Sequence, residues 1–159
     1  MKRFGLFWGM MGIVAIMLQS CENKDDVYEK TYSFEKNILT NKDVMRYDFD
    51  NPADTFQLYN IELSILHEPQ VAISQLPLLL GYRSPNGESI SVPIAIPLYD
   101  KSFKPVGTIR PDSLVELKQT LFYANSLRTG VNTFEIAMDS HQDSLFGVVS
   151  FTLSIERAN

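Results

Sequence analysis

Apolar and polar residues alternate through most of the chain, and the alternation predicts strands. Val44-Met45-Arg46-Tyr47-Asp48-Phe49-Asp50 puts Met45, Tyr47 and Phe49 on one face and Arg46, Asp48 and Asp50 on the other. A period of two belongs to a half-buried strand. Asn51-Pro52-Ala53-Asp54 has the composition of a turn. The segment from Phe56 to Leu66 places Tyr59, Ile61, Leu63 and Ile65 on one face, with Gln57 continuing it, and His67-Glu68-Pro69 ends the segment. Leu76, Leu78, Leu80 and Tyr82 repeat the pattern up to Arg83. Ser84-Pro85-Asn86-Gly87-Glu88 then predicts a hairpin, because Asn and Gly both tolerate positive φ.

The return strand carries Ile90, Val92, Ile94, Ile96 and Leu98 at alternate positions, with Pro93 and Pro97 on the opposite parity. Each proline removes a backbone donor, so this strand is expected at a sheet edge or interrupted by a bulge. Asp100 to Gly107 reads as a loop. Ser113 to Asn125 fits two periods. Leu114, Leu117, Leu121 and Phe122 suit a helix, whereas Val115, Leu117, Leu121 and Tyr123 suit a strand interrupted by Gln119. With strands on both sides, a strand over Leu114–Thr120 is expected, then a short helical turn at Phe122–Leu127. Arg128-Thr129-Gly130 is a turn. Val131–Met138 and Val148–Glu156 close the chain as strands, the last with Val149, Phe151, Leu153 and Ile155 on one face. About seven or eight strands with regular turn signals predict an all-β fold, an antiparallel β-sandwich of jelly-roll or immunoglobulin-like type.

The N-terminus has a different pattern. Lys2 and Arg3 precede an uncharged run from Phe4 to Leu18, and Leu18-Gln19-Ser20-Cys21 stands where that run gives way to Glu22-Asn23-Lys24-Asp25-Asp26. The run holds about 15 residues, enough for a signal-peptide core and short of the roughly 20 that a spanning helix needs. The segment resembles a bacterial lipoprotein signal peptide over residues 1–20, with Leu18, Gln19 and Ser20 as the lipobox before an acylated Cys21. Residues 21–33 then read as an acylated, polar tether, and 34–159 as a single domain. Lys24, Asp25 and Asp26 resemble the export signal that sends such lipoproteins to the outer face of the outer membrane. The expected location is therefore the outer membrane, with the domain on its surface or on its periplasmic face.

Charge and cysteine content sharpen this picture. Cys21 is the one cysteine of the chain. The body behind it must therefore be held by packing, without disulfides. The whole chain carries a formal charge of −5. Without Lys2 and Arg3 the remainder has 12 basic and 19 acidic residues, a balance of −7. No basic cluster occurs, which argues against nucleic acid as a partner. It also argues against electrostatic docking on anionic lipid. Attachment to the membrane would rest on the acyl group.

No catalytic pattern stands out. There is no G-x-S-x-G elbow, P-loop or dinucleotide glycine pattern. The protein is read as a non-enzyme without cofactor or resident metal. The chain has two histidines. His67 is expected as a loop-exposed imidazole at a strand end. Asp139, His141 and Asp143 would share one face of an extended segment and could meet a divalent ion, but Asp139-Ser140-His141-Gln142-Asp143 reads first as a solvated turn. Aromatic residues are plentiful, and ring faces stack on sugars. Most lie on the buried parity of strands. Tyr99 and Phe103, in the loop, are the candidate ligand-facing aromatics.

The order of features resembles the gliding-motility lipoprotein GldH family of Bacteroidetes. The resemblance rests on Val27-Tyr28-Glu29 after the cysteine, Tyr47-Asp48-Phe49, Asp54-Thr55 before Leu58-Tyr59-Asn60-Ile61, and Pro97-Leu98-Tyr99-Asp100 with Gly107 following. It is strongest at the end, over Gly130, Phe134-Glu135-Ile136, Met138, Leu145-Phe146-Gly147-Val148 and Ile155-Glu156-Arg157. The family's tryptophan-bearing segments are missing, since Trp8 is the one tryptophan, so the chain resembles a divergent member. What the resemblance implies is a lipid-anchored envelope protein linked to gliding motility and its secretion machinery, acting through envelope protein partners and without enzymatic activity. A surface glycan-binding module is the alternative. Asp112-Ser113-Leu114 and Asp143-Ser144-Leu145 also resemble short O-glycosylation sites of this phylum, although Asp-Ser equally starts turns.

Overall fold

The computed structural model describes residues 26–52 and 56–158. Their architecture is an all-β, antiparallel sandwich. There are eleven strands among the described residues rather than seven or eight, and one 3₁₀ turn at Glu35–Asn37. The strands are β1 (Asp26–Ser33), β2 (Ile38–Thr40), β3 (Val44–Asn51), β4 (Leu58–His67), β5 (Gln75–Arg83), β6 (Ser89–Pro97), β7 (Thr108–Ile109), β8 (Val115–Ser126), β9 (Gly130–Met138), β10 (Ser144–Phe146) and β11 (Val148–Arg157). A five-stranded sheet runs β1-β11-β4-β8-β7 and a four-stranded sheet runs β3-β9-β5-β6. A small β10-β2 ribbon lays Leu39 opposite Leu145, and both are buried.

The parity expected from sequence holds in the central strands. Met45, Tyr47 and Phe49 of β3, Tyr59, Ile61, Leu63 and Ile65 of β4, and Leu76, Leu78 and Leu80 of β5 are all buried. They form one core with Phe134 and Ile136 of β9 and Phe151, Leu153 and Ile155 of β11. Edge-to-face ring pairs tie the two sheets together: Tyr32 with Tyr47 at 5.2 Å, and Phe49 with Tyr59 at 5.6 Å. Such pairs add to plain area burial.

Bulges explain where the parity fails. In β11 the register shifts between Val148 and Ser150, so Val148 is buried and Val149 is not part of the buried row that begins at Phe151. In β8 the register against β4 shifts twice, on both sides of the Phe122–Ile61 pair. Ala124 takes φ 45°, and its amide donates to Asn60 Oδ1. The helical turn expected at Phe122–Leu127 is therefore a correction: the strand runs on to Ser126. Two bulges in one strand break a period of two, and the surviving spacing imitates a helix.

The tether expected over 21–33 is also corrected, because Asp26–Ser33 is an edge strand paired along β11. The domain thus begins before residue 34. Strand character is expected from Tyr28, and the strand starts earlier, at Asp26; within it Lys30, opposite Leu153, sits on the inward parity. Its side chain runs out to the Arg46 carbonyl at 2.9 Å and over the Tyr32 ring. A lysine at an edge keeps its head in water while its stem packs, and it discourages pairing with other chains.

The 84–88 hairpin forms as expected. Gly87, at φ 89°, takes the left-handed position and Asn86 does not. The strand that follows, β6, is an edge strand, which is where Pro93 and Pro97 can stand. Beyond it, Tyr99 bridges to Pro105, and the Val106 amide donates to the Leu98 carbonyl. The chain then crosses to the other sheet through Gly107 at φ 120°. A Cβ there would lie 2.4 Å from the Glu116 carbonyl oxygen, so only glycine fits the crossing.

A buried polar network holds the β8–β9 turn. Asn51 Nδ2 donates to the Leu127 carbonyl and its Oδ1 accepts from Tyr59. Asn132 Nδ2 donates to the carbonyls of Arg128 and Gly130, and its Oδ1 accepts from Tyr82. Asn132 is fully buried, and truncating it removes three hydrogen bonds to part-buried partners, of which the Arg128 carbonyl keeps a long bond from Asn51. Asn132→Ala is expected to cost about 3 kcal/mol, measured by urea unfolding. A loss well under about 1 kcal/mol would show that the turn is held by other contacts.

Candidate functional site

Cys21, the lipobox residues Leu18, Gln19 and Ser20, and Lys24 and Asp25 lie outside the described residues. Asp26, the last residue of the expected export signal, opens β1 with its backbone opposite Glu156. Among the described residues no helix is long and apolar enough to cross a membrane.

Tyr99 and Phe103 have different environments. Tyr99 is half-buried against the core, and its hydroxyl donates to the carbonyls of Pro69 and Val71. Its ring serves the fold. Phe103 is 84% exposed, at φ 57°, in a turn where the Asp100 carboxylate accepts from the amides of Ser102 and Lys104. Of the two rings, Phe103 is the exposed one. Asp139, His141 and Asp143 are all exposed. Asp143 accepts a hydrogen bond from Asn41. No group of three or more metal-ligating side chains gathers among the described residues.

His67 is a correction. It is the last residue of β4 and is fully buried, not loop-exposed. It continues the inward row of Tyr59, Ile61, Leu63 and Ile65, so the alternation itself held the signal. Nδ1 donates to the Glu68 carbonyl at 2.7 Å, while Nε2 has no partner. Burial pushes the imidazole below its ordinary value, against the smaller opposing effect of the Glu68 carbonyl. The folded protein therefore holds His67 neutral, and the unfolded chain takes up a proton first as pH falls. Stability is complete above about pH 6.5, the unfolded value. It declines as pH drops from there toward the lower folded value, by at most about 1.4 kcal/mol per pH unit. His67→Gln should flatten this part of the profile, measured as urea midpoints between pH 7.5 and 5 (a window set by the imidazole's ordinary value of about 6.5). Parallel profiles for the two proteins would contradict the assignment.

The described surface offers several depressions. One, of about 290 Å³, lies on the outer face of the four-stranded sheet, where Gly81 leaves a dip beside Arg83, Ser89, Ser91, Thr133 and Glu135. At its margin the Thr133 hydroxyl donates to Asp48 at 2.7 Å. That bond, with Arg46 beside it, holds the Asp48 carboxyl below the usual carboxylate range.

The described sandwich opens along the side where β6 ends one sheet and β8 lies next to the short end strand β7 of the other. At one end, the crossing from Leu98 to Ile109 closes it: Leu98, Ile96, Val115 and Leu117 are buried. At the other end it opens. Val92 and Ile90 pair with the inward residues Leu80 and Tyr82, yet they are 46% and 53% exposed. Facing them, Gln119, Leu121 and Phe122 of β8 are only partly buried. Phe122 reaches Phe134, which packs on Tyr82, so both strands open at the same end.

The backbone is open there too. β7 pairs with β8 at Val115 and Glu116, and the Arg110 amide donates to the Leu114 carbonyl. By the alternation of an antiparallel ladder, the amide and carbonyl of Lys118 and of Thr120 point the same way. Among the described residues no strand meets them, because Val106 has turned to Leu98, and the Thr120 carbonyl accepts from Gln119 Nε2. Sequence reasoning missed this site because it depends on which strands become neighbours. The partial signal was a row from Ile90 to Leu98 too apolar for an open edge.

No family model matches the chain, and no curated protein matches it. Among solved structures, it is similar to a chain titled "Structure of infectious bursal disease virus Gx strain", at 10% identity and a TM-score of 0.23. That match covers 93% of this chain and 37% of the other. The chain thus spans little more than a third of that protein, and a likeness at this level says nothing about its role.

Proposed function

We propose that this protein is a lipid-anchored component of a bacterial cell envelope. It is held at the outer membrane through Cys21 and works by binding other envelope proteins, not by catalysis. The observation that carries the reading is the order Lys2-Arg3, apolar run, Leu18-Gln19-Ser20-Cys21, then strand from Asp26. The five steps from Cys21 to Asp26 span at most about 18 Å. The start of β1 is thus held close to the lipid headgroups, on whichever face of the membrane the domain stands. The likeness to gliding-motility lipoproteins supports placing that role beside a motility or secretion assembly. Crosslinking in intact host cells, followed by isolation of the tagged protein, should recover a discrete envelope protein. Recovery of none would contradict the reading.

A glycan-binding module on the cell surface is the second reading, favoured by the exposed ring of Phe103. It predicts retardation in polysaccharide affinity gels that Phe103→Ala removes. Equal mobility of both proteins across the polysaccharides tested would count against it.

A further inference from the structure

We propose that the open edge between β6 and β8 is a strand-acceptor site: it takes an extended segment of a partner protein as an added strand on β8. The inference rests on the reading of this domain as an interaction module, and it names the kind of partner. Two independent features meet there. The Lys118 amide and carbonyl and the Thr120 amide meet no strand among the described residues, the Thr120 carbonyl accepts only from the exposed Gln119 side chain at 3.0 Å, and only an extended backbone offers donors and acceptors at the matching spacing. Beside them, Ile90 and Val92 point inward but are half-exposed, as inner-face residues are when the strand that should cover them is missing.

The chemistry of the occupant follows. It is an extended segment with an apolar side chain at every second position, packing on Ile90, Val92 and Leu121, and with no proline at the pairing positions. It continues a ladder that already exists, because β7 occupies the same edge at Val115 and Glu116. The bulges near Leu121 and Ala124 limit its register to the stretch around Lys118–Thr120.

The chain's own N-terminal segment is poorly placed to fill the site. It enters at β1, the opposite edge of the same sheet, with β11 and β4 between. A second copy is disfavoured for a different reason. Docking two intact sandwiches edge to edge would bring both sheets to the interface, and the β6 edge is blocked by Pro93 and Pro97. A single strand needs only the β8 edge.

The test uses the full mature chain in detergent and a synthetic peptide of alternating Val and Thr with terminal lysines. A control peptide carries proline at its central positions. Amide hydrogen exchange reads the site. The Val-Thr peptide should slow exchange at Lys118 and Thr120 by at least about tenfold, while the proline peptide does not. Thr120→Pro removes one free donor, and Val92→Glu places a charge on the exposed apolar face. Each should weaken peptide affinity by at least about tenfold with the urea midpoint unchanged. Should Thr120→Pro fail to fold, Val92→Glu alone decides. No slowing at millimolar peptide overturns the proposal. So does protection without peptide: if it rises with protein concentration the occupant is a second copy, and if it survives dilution the occupant is the chain itself. Peptide binding is independent of acylation, so it can fail while the lipid anchor stands.

Discussion

Cys21→Ser is expected to leave the protein without fatty acid and absent from the outer-membrane fraction. The thioether to diacylglycerol needs the thiol, and a serine hydroxyl does not replace it. Each buried CH₂ of an acyl chain contributes about 0.8 kcal/mol, so two or three chains make attachment effectively permanent, and losing them removes it entirely. The charge of the chain does not compensate. Its overall charge is −5, and it has no basic run to hold it on anionic lipid. The fold should be untouched, because β1 begins at Asp26 and the core is built from Leu39 onward. Metabolic labelling with a fatty acid, membrane fractionation and a urea transition read the three parts. A variant still in the outer membrane without label, or one that unfolds, would contradict the account.

Phe151→Ala is the second large effect, and it acts on the domain itself. Phe151 is fully buried in β11, the strand between β1 and β4. Its ring meets Phe34 edge-to-face at 5.1 Å. Its carbonyl accepts a long hydrogen bond, 3.4 Å, from the Tyr47 hydroxyl of the opposite sheet. Burial holds that phenol far above its ordinary range, so Tyr47 stays a donor at any working pH. Truncation empties the centre of the sandwich. Substitutions of this kind cost about 3–5 kcal/mol, a large share of a domain's total of about 5–15 kcal/mol. The body has no cysteine beyond Cys21 to staple it. Phe151→Ala should therefore lower the urea midpoint sharply at 25 °C or leave the protein partly unfolded. A change below about 1 kcal/mol would mean that the two sheets do not depend on this contact.

The fold was legible wherever the period of two ran undisturbed. Met45-Tyr47-Phe49 and Tyr59-Ile61-Leu63-Ile65 told inside from outside because β3 pairs with β9, and β4 with β11, without shifts along those rows; the extra residues of the β4–β8 bulges sit in β8. His67 shows the same rule neglected: it is the next inward position, and the Glu68-Pro69 turn drew attention away from it. Lys30 blurs the alternation of β1 by placing a charge on an inward position, which an edge strand tolerates and a central strand does not. Thr108-Ile109, Ile38–Thr40 and Ser144–Phe146 are too short to show any period. The strand-acceptor edge was out of reach for another reason. β8 lies beside β4 and β7, and β6 lies across the core from it. No local pattern encodes which neighbour a strand lacks. The lipid site is the reverse case: its expectation rests on Leu18-Gln19-Ser20-Cys21 alone, outside the described residues.

The most direct test of the anchor is the mass of the N-terminal peptide of the protein isolated from host membranes. The account predicts a chain that starts at Cys21, with its mass raised by a diacylglyceryl group and, where the amine is acylated, by a further fatty acid. A mature chain that begins at another residue, or a Cys21 peptide at its unmodified mass, would contradict it.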